Sequence, residues 1–451
     1  MADAPAPADI VASGLCIGCG GCATGPTRRM AWDRYGQRKP TGADLTLADA
    51  AFARTCPFSP AAGDEDAIAA ARFPAAPHVD ARLGRYEANY VGHVAEGEFR
   101  AIGSSGGMVS WVAAELLRTG AVDGVAHVVP STDDRLFRYR ISRDAAAIAE
   151  GARSRYYPVD LAEVLAAIRS TPGRYAIVGV PCFMKAVALQ RAEDPVLAER
   201  ITHLLGLFCG HMKSAAFVDS FAWQLDAPRE EVRAVEYRRK DPGRPANWYT
   251  AHLDLADGSS RSQDWWHLAD GDWGAGFFQN AACNFCDDVV GECADISFGD
   301  AWVEPYSSDG RGTNVVVVRS AAIAGMVADA AAAGRLALEG VDSDFIANTQ
   351  AAGFRQRREG LAYRLTWAKR GIRPRKRVAP GAAGLPWRRR AIYRMRAGIS
   401  RWSHRMAWAA KRLGAPALYV RWARASLYLY QALAYHRGRL GEWLRRFDGR
   451  E

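Results

Sequence analysis

Long apolar segments are missing from this sequence. No run approaches the roughly 18 uncharged apolar residues of a membrane-spanning helix, which argues against such a helix. The opening residues, MADAPAPADIVASG, have no basic segment followed by an apolar core, so we expect no secretory signal. We therefore expect a cytoplasmic, reducing compartment, in which the nine cysteines bind metal rather than pair as disulfides.

Acidic residues are scarce toward the C-terminal end. From Arg355 onward the chain has 26 Lys and Arg but only 4 Asp and Glu, whereas the preceding residues have 33 and 45. The chain therefore has an acidic body and a strongly basic tail, which suggests different roles for the two parts. With 451 residues, 49% of them hydrophobic and 24% charged, it is expected to be globular, with two or three domains.

Three cysteines stand three positions apart in GLCIGCGGCATGP, at Cys16, Cys19 and Cys22. A C-x2-C-x2-C run is a common local clamp for an iron–sulfur cluster, and the glycines between the cysteines allow the loop to wrap closely. The next cysteine, Cys56, precedes a proline, as the remote ligand of ferredoxin loops typically does. We predict that these four thiols hold one [4Fe–4S] cluster. A structural zinc site with four thiolates is the alternative.

Five further cysteines suggest a second thiol site. Cys182 and Cys209 each follow an apolar run that predicts a buried strand, YAIVGV and LLGLF. Cys283 and Cys286 form a C-x2-C pair, and Cys293 follows them. We predict a four-thiolate site made of the first four, with Cys293 as a spare or as a substitute for Cys182. Ordinary core packing is the alternative for any one of them.

A Gly-rich turn, made of Ser104, Ser105, Gly106 and Gly107, is expected to connect a short strand, FRAI, to an amphipathic helix. The free amides of a helix N-terminus suit a phosphate or the edge of a flavin. Serine at a helix start is nevertheless most often only an N-cap, which is the alternative.

A basic and aromatic loop follows, with Arg153, Arg155, Tyr156 and Tyr157. It leads into a helix predicted from about Leu161 to Arg169. The loop residues are suited to contact an anionic or aromatic cofactor, and the alternative is a solvated loop with buried tyrosines.

Later segments predict further elements. Residues 233–266 alternate and turn as antiparallel strands, GTNVVVVRS predicts a buried strand, and AAIAGMVADAAAAGRLAL predicts a helix. Apolar residues at helical spacing predict a basic amphipathic helix from Trp387 to Leu413 and a second from about Ala417 to Leu444. Such helices suit an anionic membrane surface or a partner. Packing on the acidic body is the alternative, and no nucleic-acid partner is expected.

The motifs taken together resemble a family. Their order is C-x2-C-x2-C, C-P, S-S-G-G, S-R-Y-Y-P-V-D, G-V-P-C, L-F-C-G-H, C-x2-C-D-D and A-D-I-S-F-G-D-A-W, over roughly residues 10–320. This order is similar to that of the beta subunit of coenzyme F420 hydrogenase/dehydrogenase and its relatives, which include 7-hydroxymethyl chlorophyll a reductase. Two departures are Arg155, where relatives often have Lys, and the extra thiol of Cys293.

The resemblance implies an iron–sulfur flavoprotein oxidoreductase. FAD would sit in the central domain, lined by residues 104–107 and 155–157, and clusters would pass electrons between it and ferredoxin or a partner subunit. The substrate would be a small organic molecule, and use of coenzyme F420 itself stays open. An electron-relay subunit without a substrate of its own and a zinc-stapled scaffold are the alternatives.

No catalytic residue is assigned from the sequence. The candidate proton donors near the thiols are His211, Asp287, Asp288, Asp295 and Asp300. The expected fold class is α/β, in a mixed α+β arrangement. We expect a ferredoxin-like iron–sulfur segment at 1–80, a flavin-binding α/β domain with the second cluster at 81–350, and a basic helical tail at 351–451. The tail would allow peripheral contact with the inner membrane.

Overall fold

Strands and helices alternate through most of the chain in the computed structural model, which describes residues 4–133 and 135–448. The strands are β1 (Arg28–Trp32), β2 (Arg38–Gly42), β3 (His78–Asp80), β4 (Gly84–Tyr86), β5 (Ala88–Val94), β6 (Gly124–Pro130), β7 (Phe137–Ser142), β8 (Tyr175–Gly179), β9 (Ile201–Leu207), β10 (Val232–Arg239), β11 (Thr250–Leu255), β12 (Ser260–Asp264), β13 (Ile296–Asp300), β14 (Asn314–Val318) and β15 (Leu336–Gly340).

The helices are α1 (Pro7–Ala12), α2 (Ala50–Thr55), α3 (Glu65–Arg72), α4 (Phe99–Ile102), α5 (Met108–Arg118), α6 (Ala145–Glu150), α7 (Ala162–Ser170), α8 (Pro181–Glu193), α9 (Pro195–Arg200), α10 (Ala216–Gln224), α11 (Ala321–Ala332), α12 (Ser343–Thr349), α13 (Ala351–Arg357), α14 (Glu359–Leu365), α15 (Trp387–Arg412), α16 (Pro416–Tyr435) and α17 (Gly438–Asp448). Short 3-10 turns connect several of these elements.

An eight-stranded mixed sheet forms the centre of the fold, with the order β15-β5-β14-β13-β9-β8-β6-β7. The four neighbours β13, β9, β8 and β6 are parallel, and the flanking strands pair antiparallel. Every residue of β8 and β14 is buried, which agrees with their continuous apolar sequences. The carboxyl ends of the four parallel strands therefore lie along one edge of the sheet, where open α/β sheets place their ligands.

The N-terminal segment packs directly on this sheet layer. Ile10, Leu15 and Phe58 share one hydrophobic cluster with Leu161 and Phe183, which come from the central part of the chain. The same cluster is flanked by most of the cysteines. Sequence-distant thiols are thereby brought to one side of the sheet.

The predicted mixed α/β class and the basic C-terminal helices are confirmed. Helix α7 lies within one residue of its predicted bounds, and β10–β12 form the predicted antiparallel sheet. The prediction of a strand at FRAI is wrong, because residues 99–102 form α4. The helix predicted through RLAL is also wrong at its end: Gly334 adopts φ +72°, and β15 then pairs with β5. Residues 336–340 became a strand because β5 offers them a pairing partner, and the local sequence does not reveal such a distant partner.

The basic tail folds back onto the body. Buried apolar residues of α15 and α16 join a hydrophobic cluster with body residues such as Phe217, Trp265, Phe277 and Phe278; the tail members are Ile392, Ile399, Ala407, Ala410, Tyr419, Ala423 and Tyr430. Packing on the body, one of the two alternatives, is therefore what the described residues show for these faces. The second predicted helix is divided into α16 and α17, since His436 and Gly438 adopt φ +53° and +70°.

None of the described helices combines the length and the apolar composition that a membrane-spanning helix requires. Large apolar side chains also lie on the outer face of the tail, including Trp402, Trp408 and Leu413. The two tail helices are thus covered on one side and exposed on the other.

Substitution of the buried Tyr419 tests whether α16 packs on the body. The Tyr419 side chain is 0% exposed, and its hydroxyl donates to Asp270 Oδ2 at 2.8 Å. We expect Tyr419→Ala to lower the free energy of unfolding by about 3–5 kcal/mol, because it leaves a cavity and removes a buried hydrogen bond. Chemical denaturation measures this change.

The matched control is Tyr428→Ala on the same helix, where the side chain is 49% exposed. It should change the free energy of unfolding by about 0.5 kcal/mol or less. Equal effects of the two substitutions would mean that α16 is not docked on the body.

Candidate functional site

The first thiol group, Cys16, Cys19, Cys22 and Cys56, surrounds one small cavity whose remaining wall is mostly apolar. The first three lie in the irregular loop after α1, and Cys56 directly follows α2. Burial raises the pKa of the Cys19 thiol to about 12, and burial together with the charge of Cys19 raises that of Cys56. The four thiols predicted to act together are therefore neighbours, and a cationic metal core would offset the cost of ionising them.

Two glycines give the loop its close packing. Gly18 and Gly20 adopt φ +82° and +81°, in the left-handed region that favours glycine. A Cβ atom would lie 2.5 Å from the Arg38 carbonyl oxygen at the first position and 2.9 Å from the Ala162 nitrogen at the second. The loop can therefore lie directly against β2 and the start of α7.

The second thiol group consists of Cys182, Cys209, Cys283 and Cys286. Cys182 is in the first turn of α8, rather than in the turn expected after the strand, because Pro181 begins that helix. Cys209 follows β9, and the pair Cys283 and Cys286 lies in and after a 3-10 turn. Burial, followed by the charges of Cys286, Cys209 and Cys283, raises the pKa of Cys182. The structure thus brings these four thiols together.

The two thiol groups are adjacent. The charge of Cys19 also acts on Cys182. Tyr139, whose hydroxyl donates to the Val178 carbonyl at 2.9 Å, has its pKa raised by burial and then by the charges of Cys182, Asp160 and Cys19. Cys182 and Cys19 are therefore the members through which the groups approach each other.

A buried arginine completes the second group. Arg357, at the end of α13, is 2% exposed and donates to Cys286 Sγ at 3.0 Å and to the Cys209 and Gly210 carbonyls at 2.5 and 2.9 Å. The Met212 amide also donates to Cys283 Sγ, at 3.3 Å. Sequence reasoning missed Arg357, because nothing local distinguishes it from the other arginines of the basic tail.

Cys293 has different surroundings. It is 0% exposed, and the charges that act on its thiol belong to Glu65, Asp288, Lys185 and Glu292 rather than to other cysteines. Glu65 and Lys185 form an ion pair at 3.2 Å. Cys293 therefore lies in a buried charged cluster, although it shares one hydrophobic cluster with Cys286.

Among residues 4–133 and 135–448, no group of three or more His, Cys, Asp or Glu side chains is close enough to hold a metal ion as it stands. Each thiol group is accordingly a set of buried or half-buried cysteines whose charges act on one another.

A cavity of about 850 Å³ opens at the carboxyl ends of the parallel strands. Its wall includes Val128 of β6, Val178 of β8, Leu207 of β9, and Phe298 and Asp300 of β13. Cys209 also lines it, so the second thiol group reaches the cavity wall. A cavity of this size accommodates a cofactor or a small ligand.

The Gly-rich turn lies at the start of α5, as predicted. Ser104, Ser105 and Gly107 line the cavity, and Gly107 is the left-handed N-cap of α5, with φ +85°. Ser105 Oγ donates to the Thr313 carbonyl at 2.8 Å. Gly106 is not on the wall: a Cβ atom there would lie 2.8 Å from the Gly92 carbonyl oxygen, so this glycine allows close packing on β5.

The basic and aromatic loop forms a neighbouring part of the wall. The Arg155 guanidinium lies 4.9 Å from the centre of the Phe137 ring, and its buried Nε has no hydrogen-bond partner among the described residues. Burial, then the charge of Arg153, lowers the pKa of Arg155 to about 10. The Ser154 amide donates to Ser104 Oγ at 2.8 Å, which joins this loop to the Gly-rich turn.

The two tyrosines of this loop differ in their packing. The Tyr156 ring lies 4.7 Å from that of Trp273. Tyr157 contacts Trp32 and Phe137 edge-on at 5.8 and 5.7 Å. Both line the cavity.

A group of residues that we call the basic corner, His211, Lys213, Trp273 and Arg396, lines another part of the cavity. The His211 ring stacks on Trp273 at 4.2 Å, and Lys213 Nζ lies 4.7 Å from the centre of the same ring. Burial lowers the pKa of Lys213 to about 7. Sequence reasoning named only His211, since Trp273 and Arg396 reach the corner through long-range contacts.

Only two of the five candidate proton donors line the cavity, His211 and Asp300, and Asp300 forms an ion pair with Arg238 at 2.9 Å. The other three have structural contacts. Asp287 pairs with a lysine, Asp288 accepts from the amides that follow it, and Asp295 pairs with an arginine.

Known proteins support the motif-based interpretation. Two family models match, and both describe the beta subunit of coenzyme F420 hydrogenase/dehydrogenase. The model of its N-terminal part matches residues 89–166, and the model of its C-terminal part matches residues 173–344. No curated protein in the comparison matches the chain.

A solved structure has a similar fold. It is a chain of the F420-reducing [NiFe] hydrogenase complex from Methanosarcina barkeri, in a xenon derivative, with a TM-score of 0.51 and 17% identity. The alignment covers 66% of this chain and 99% of that chain, and at this identity it concerns the fold alone. Together the two family matches span more than half of the sequence, so this chain belongs to the coenzyme F420 hydrogenase/dehydrogenase beta subunit family, a family of redox-enzyme subunits.

Proposed function

We propose that this chain is an iron–sulfur flavoprotein oxidoreductase that takes electrons from ferredoxin or a partner subunit and reduces a small organic substrate. The observation that carries the proposal is the position of Cys209. It belongs to the second thiol group and also lines the cavity of about 850 Å³. A redox centre held by that group would border a space of ligand size.

The cavity suits FAD in its volume and in its polar groups. The wall offers the N-terminus of α5, whose dipole favours a diphosphate. Arg155 adds a buried guanidinium nitrogen without a partner among the described residues, and Tyr156 adds an aromatic surface. Ser104, Ser105, Gly107, Arg155, Tyr156 and Tyr157 are the residues that would hold the cofactor.

The two thiol groups suit iron–sulfur clusters. The first group surrounds its own cavity, and the second receives hydrogen bonds at sulfur from Arg357 and Met212, as cluster sulfurs commonly do. Clusters exchange single electrons and FAD exchanges one or two, so the pair would connect a one-electron donor to a two-electron reduction. The first thiol group is adjacent to Cys182, Cys182 is grouped with Cys209, and Cys209 lines the cavity. Electrons would pass through the clusters in this order toward the cavity.

We propose ferredoxin or a partner subunit as the electron donor. The solved structure of similar fold belongs to a multi-subunit hydrogenase complex, and this supports a redox partner. A relay subunit would need a docking face but no enclosed space for a substrate. The wall of the cavity also extends beyond the proposed flavin site, to residues such as His211, and this additional space favours the enzyme over the relay.

Substitution of single cysteines separates the thiol groups from Cys293. We expect Cys56→Ser to lose about half of the wild-type iron and acid-labile sulfide while keeping FAD, because it removes a thiolate from one of two clusters. Iron, sulfide and flavin would be quantified against protein after anaerobic purification.

The matched control is Cys293→Ala, a buried thiol on which the charges of Glu65, Asp288 and Lys185 act most strongly. It should retain the iron content of the wild type. Equal loss from both variants, or zinc in place of iron, would contradict the proposed ligand sets.

A second substitution tests the flavin site. Arg155→Ala should weaken FAD binding by roughly 10-fold or more, because it removes a charge-assisted hydrogen-bond donor from the cavity wall. Titration of the deflavinated protein with FAD measures the dissociation constant.

Arg138→Ala is the comparison variant, since this side chain is 45% exposed on the edge strand β7. Its FAD affinity should equal that of the wild type. An unchanged affinity in Arg155→Ala would remove this arginine from the flavin site.

A further inference from the structure

The C-terminal segments supply one wall of the cavity. Arg355 and Gln356 of α13, Arg396 of α15 and Tyr435 of α16 all line it. These positions lie beyond residue 344, where the second family match ends. The wall is therefore built by a part of the chain that neither family match covers.

We propose that the basic corner, to which this wall contributes Arg396, binds an oxyanion, namely a carboxylate or phosphate group carried by the substrate. This inference rests on the proposed function, because it places the substrate in the same cavity as FAD. It adds the chemical class of the substrate and the residues that recognise it.

Arg396 is held in a fixed orientation by neutral acceptors. Its Nη1 donates to the Gly274 carbonyl at 2.5 Å, and its Nη2 donates to Gln279 Oε1 at 3.1 Å. The same Nη2 lies 3.4 Å from His211 Nδ1. A guanidinium oriented in this way before a ligand arrives loses little freedom on binding, which favours affinity.

Within the described part of the chain, neither Arg396 nor Lys213 of the basic corner contacts a carboxylate directly, and the charges of Asp270 and Asp272 act on Lys213 from farther away. Among the described residues, neither Arg396 nor Lys213 forms an ion pair, whereas two other cavity cations, Arg153 and Arg238, pair with Glu236 and Asp300. Lys213 Nζ donates to the Phe277 carbonyl at 2.7 Å, and an ammonium has three N–H groups. A buried cation without a counter-charge in direct contact is costly, and an anionic ligand would offset that cost.

His211 supplies an unused hydrogen-bonding atom. The residue is 3% exposed, and its Nε2 is buried without a hydrogen-bond partner among the described residues. Its Nδ1 faces Arg396, which can only donate, so Nδ1 is the acceptor and Nε2 the donor of the neutral ring. The corner therefore places one donor from His211 beside the Arg396 guanidinium and beside Lys213, whose charged form a bound anion would favour. This set of donors complements an oxyanion.

This corner is distinct from the site proposed for the FAD diphosphate. The start of α5 is joined to β14, since the Met108 amide donates to Asn314 Oδ1 at 3.2 Å. His211 and Lys213 instead follow β9, and β13 lies between β14 and β9. The strands that carry the two sites, β14 and β9, are therefore two strand spacings apart, or roughly 10 Å along the sheet edge.

Flavin difference spectroscopy on the FAD-loaded, anaerobically purified full chain tests the inference. Benzoate and inorganic phosphate serve as separate probes of the two oxyanion types, and benzamide is the neutral analogue of benzoate. We expect benzoate, phosphate or both to perturb the flavin absorbance saturably, and benzamide to bind at least 10-fold more weakly than benzoate. The probe that binds identifies a carboxylate or a phosphate as the preferred group.

Arg396→Gln should weaken binding of that probe by roughly 10-fold or more, since it removes a charged donor from a buried site. Arg401→Gln, the same change at an exposed position of α15, should bind as the wild type does. The conservative Arg396→Lys should recover part of the loss, which a purely structural defect would not allow.

The inference fails if the FAD-loaded wild type binds neither anion, if benzamide binds as well as benzoate, or if Arg396→Gln binds like the wild type. Should Arg396→Gln not fold, Lys213→Gln is judged by the same criteria. A protein that takes up no FAD overturns the proposed function instead. Calorimetric titration with the two anions then still decides whether the basic corner binds them.

Discussion

The buried charge of Arg357 is the constraint on which the arrangement of the site depends. A guanidinium that is 2% exposed is tolerated only if it is fully engaged, and here it meets Cys286 Sγ and the carbonyls of Cys209 and Gly210. These contacts fix the chain just after β9, where the second thiol group, the basic corner and the cavity meet. They also attach α13, and with it the start of the basic tail, to this point.

The unequal charge of the two parts of the chain has a structural use. Tail cations neutralise buried carboxylates of the body, as Arg377 does with Glu292 at 2.7 Å and Lys376 with Asp287 at 3.2 Å. Beyond these anchors, α15 and α16 cover the aromatic surface of the body and bring Arg396 to the cavity. The tail is therefore part of the cavity as well as a surface layer.

The sequence predicted the features that depend on residues close together along the chain. Apolar runs such as YAIVGV predicted buried strands. Short spacing grouped Cys16 with Cys19 and Cys22, and Cys283 with Cys286, whereas Cys56, Cys182 and Cys209 were added from their sequence context. Three features depended on distant partners instead. Arg357 and Arg396 were indistinguishable from surface arginines. The end of the helix predicted through RLAL instead became β15, which pairs with β5. The apolar faces of the tail would show the same period whether a membrane or the body covered them.

EPR spectroscopy of the anaerobically purified, dithionite-reduced wild type tests the central claim most directly, namely that two adjacent thiol groups hold iron–sulfur clusters. Because Cys19 and Cys182 bring the groups close together, we predict signals of two [4Fe–4S] clusters, broadened by coupling between their spins. A spectrum without iron–sulfur signals, before and after reconstitution with iron and sulfide, would contradict the account.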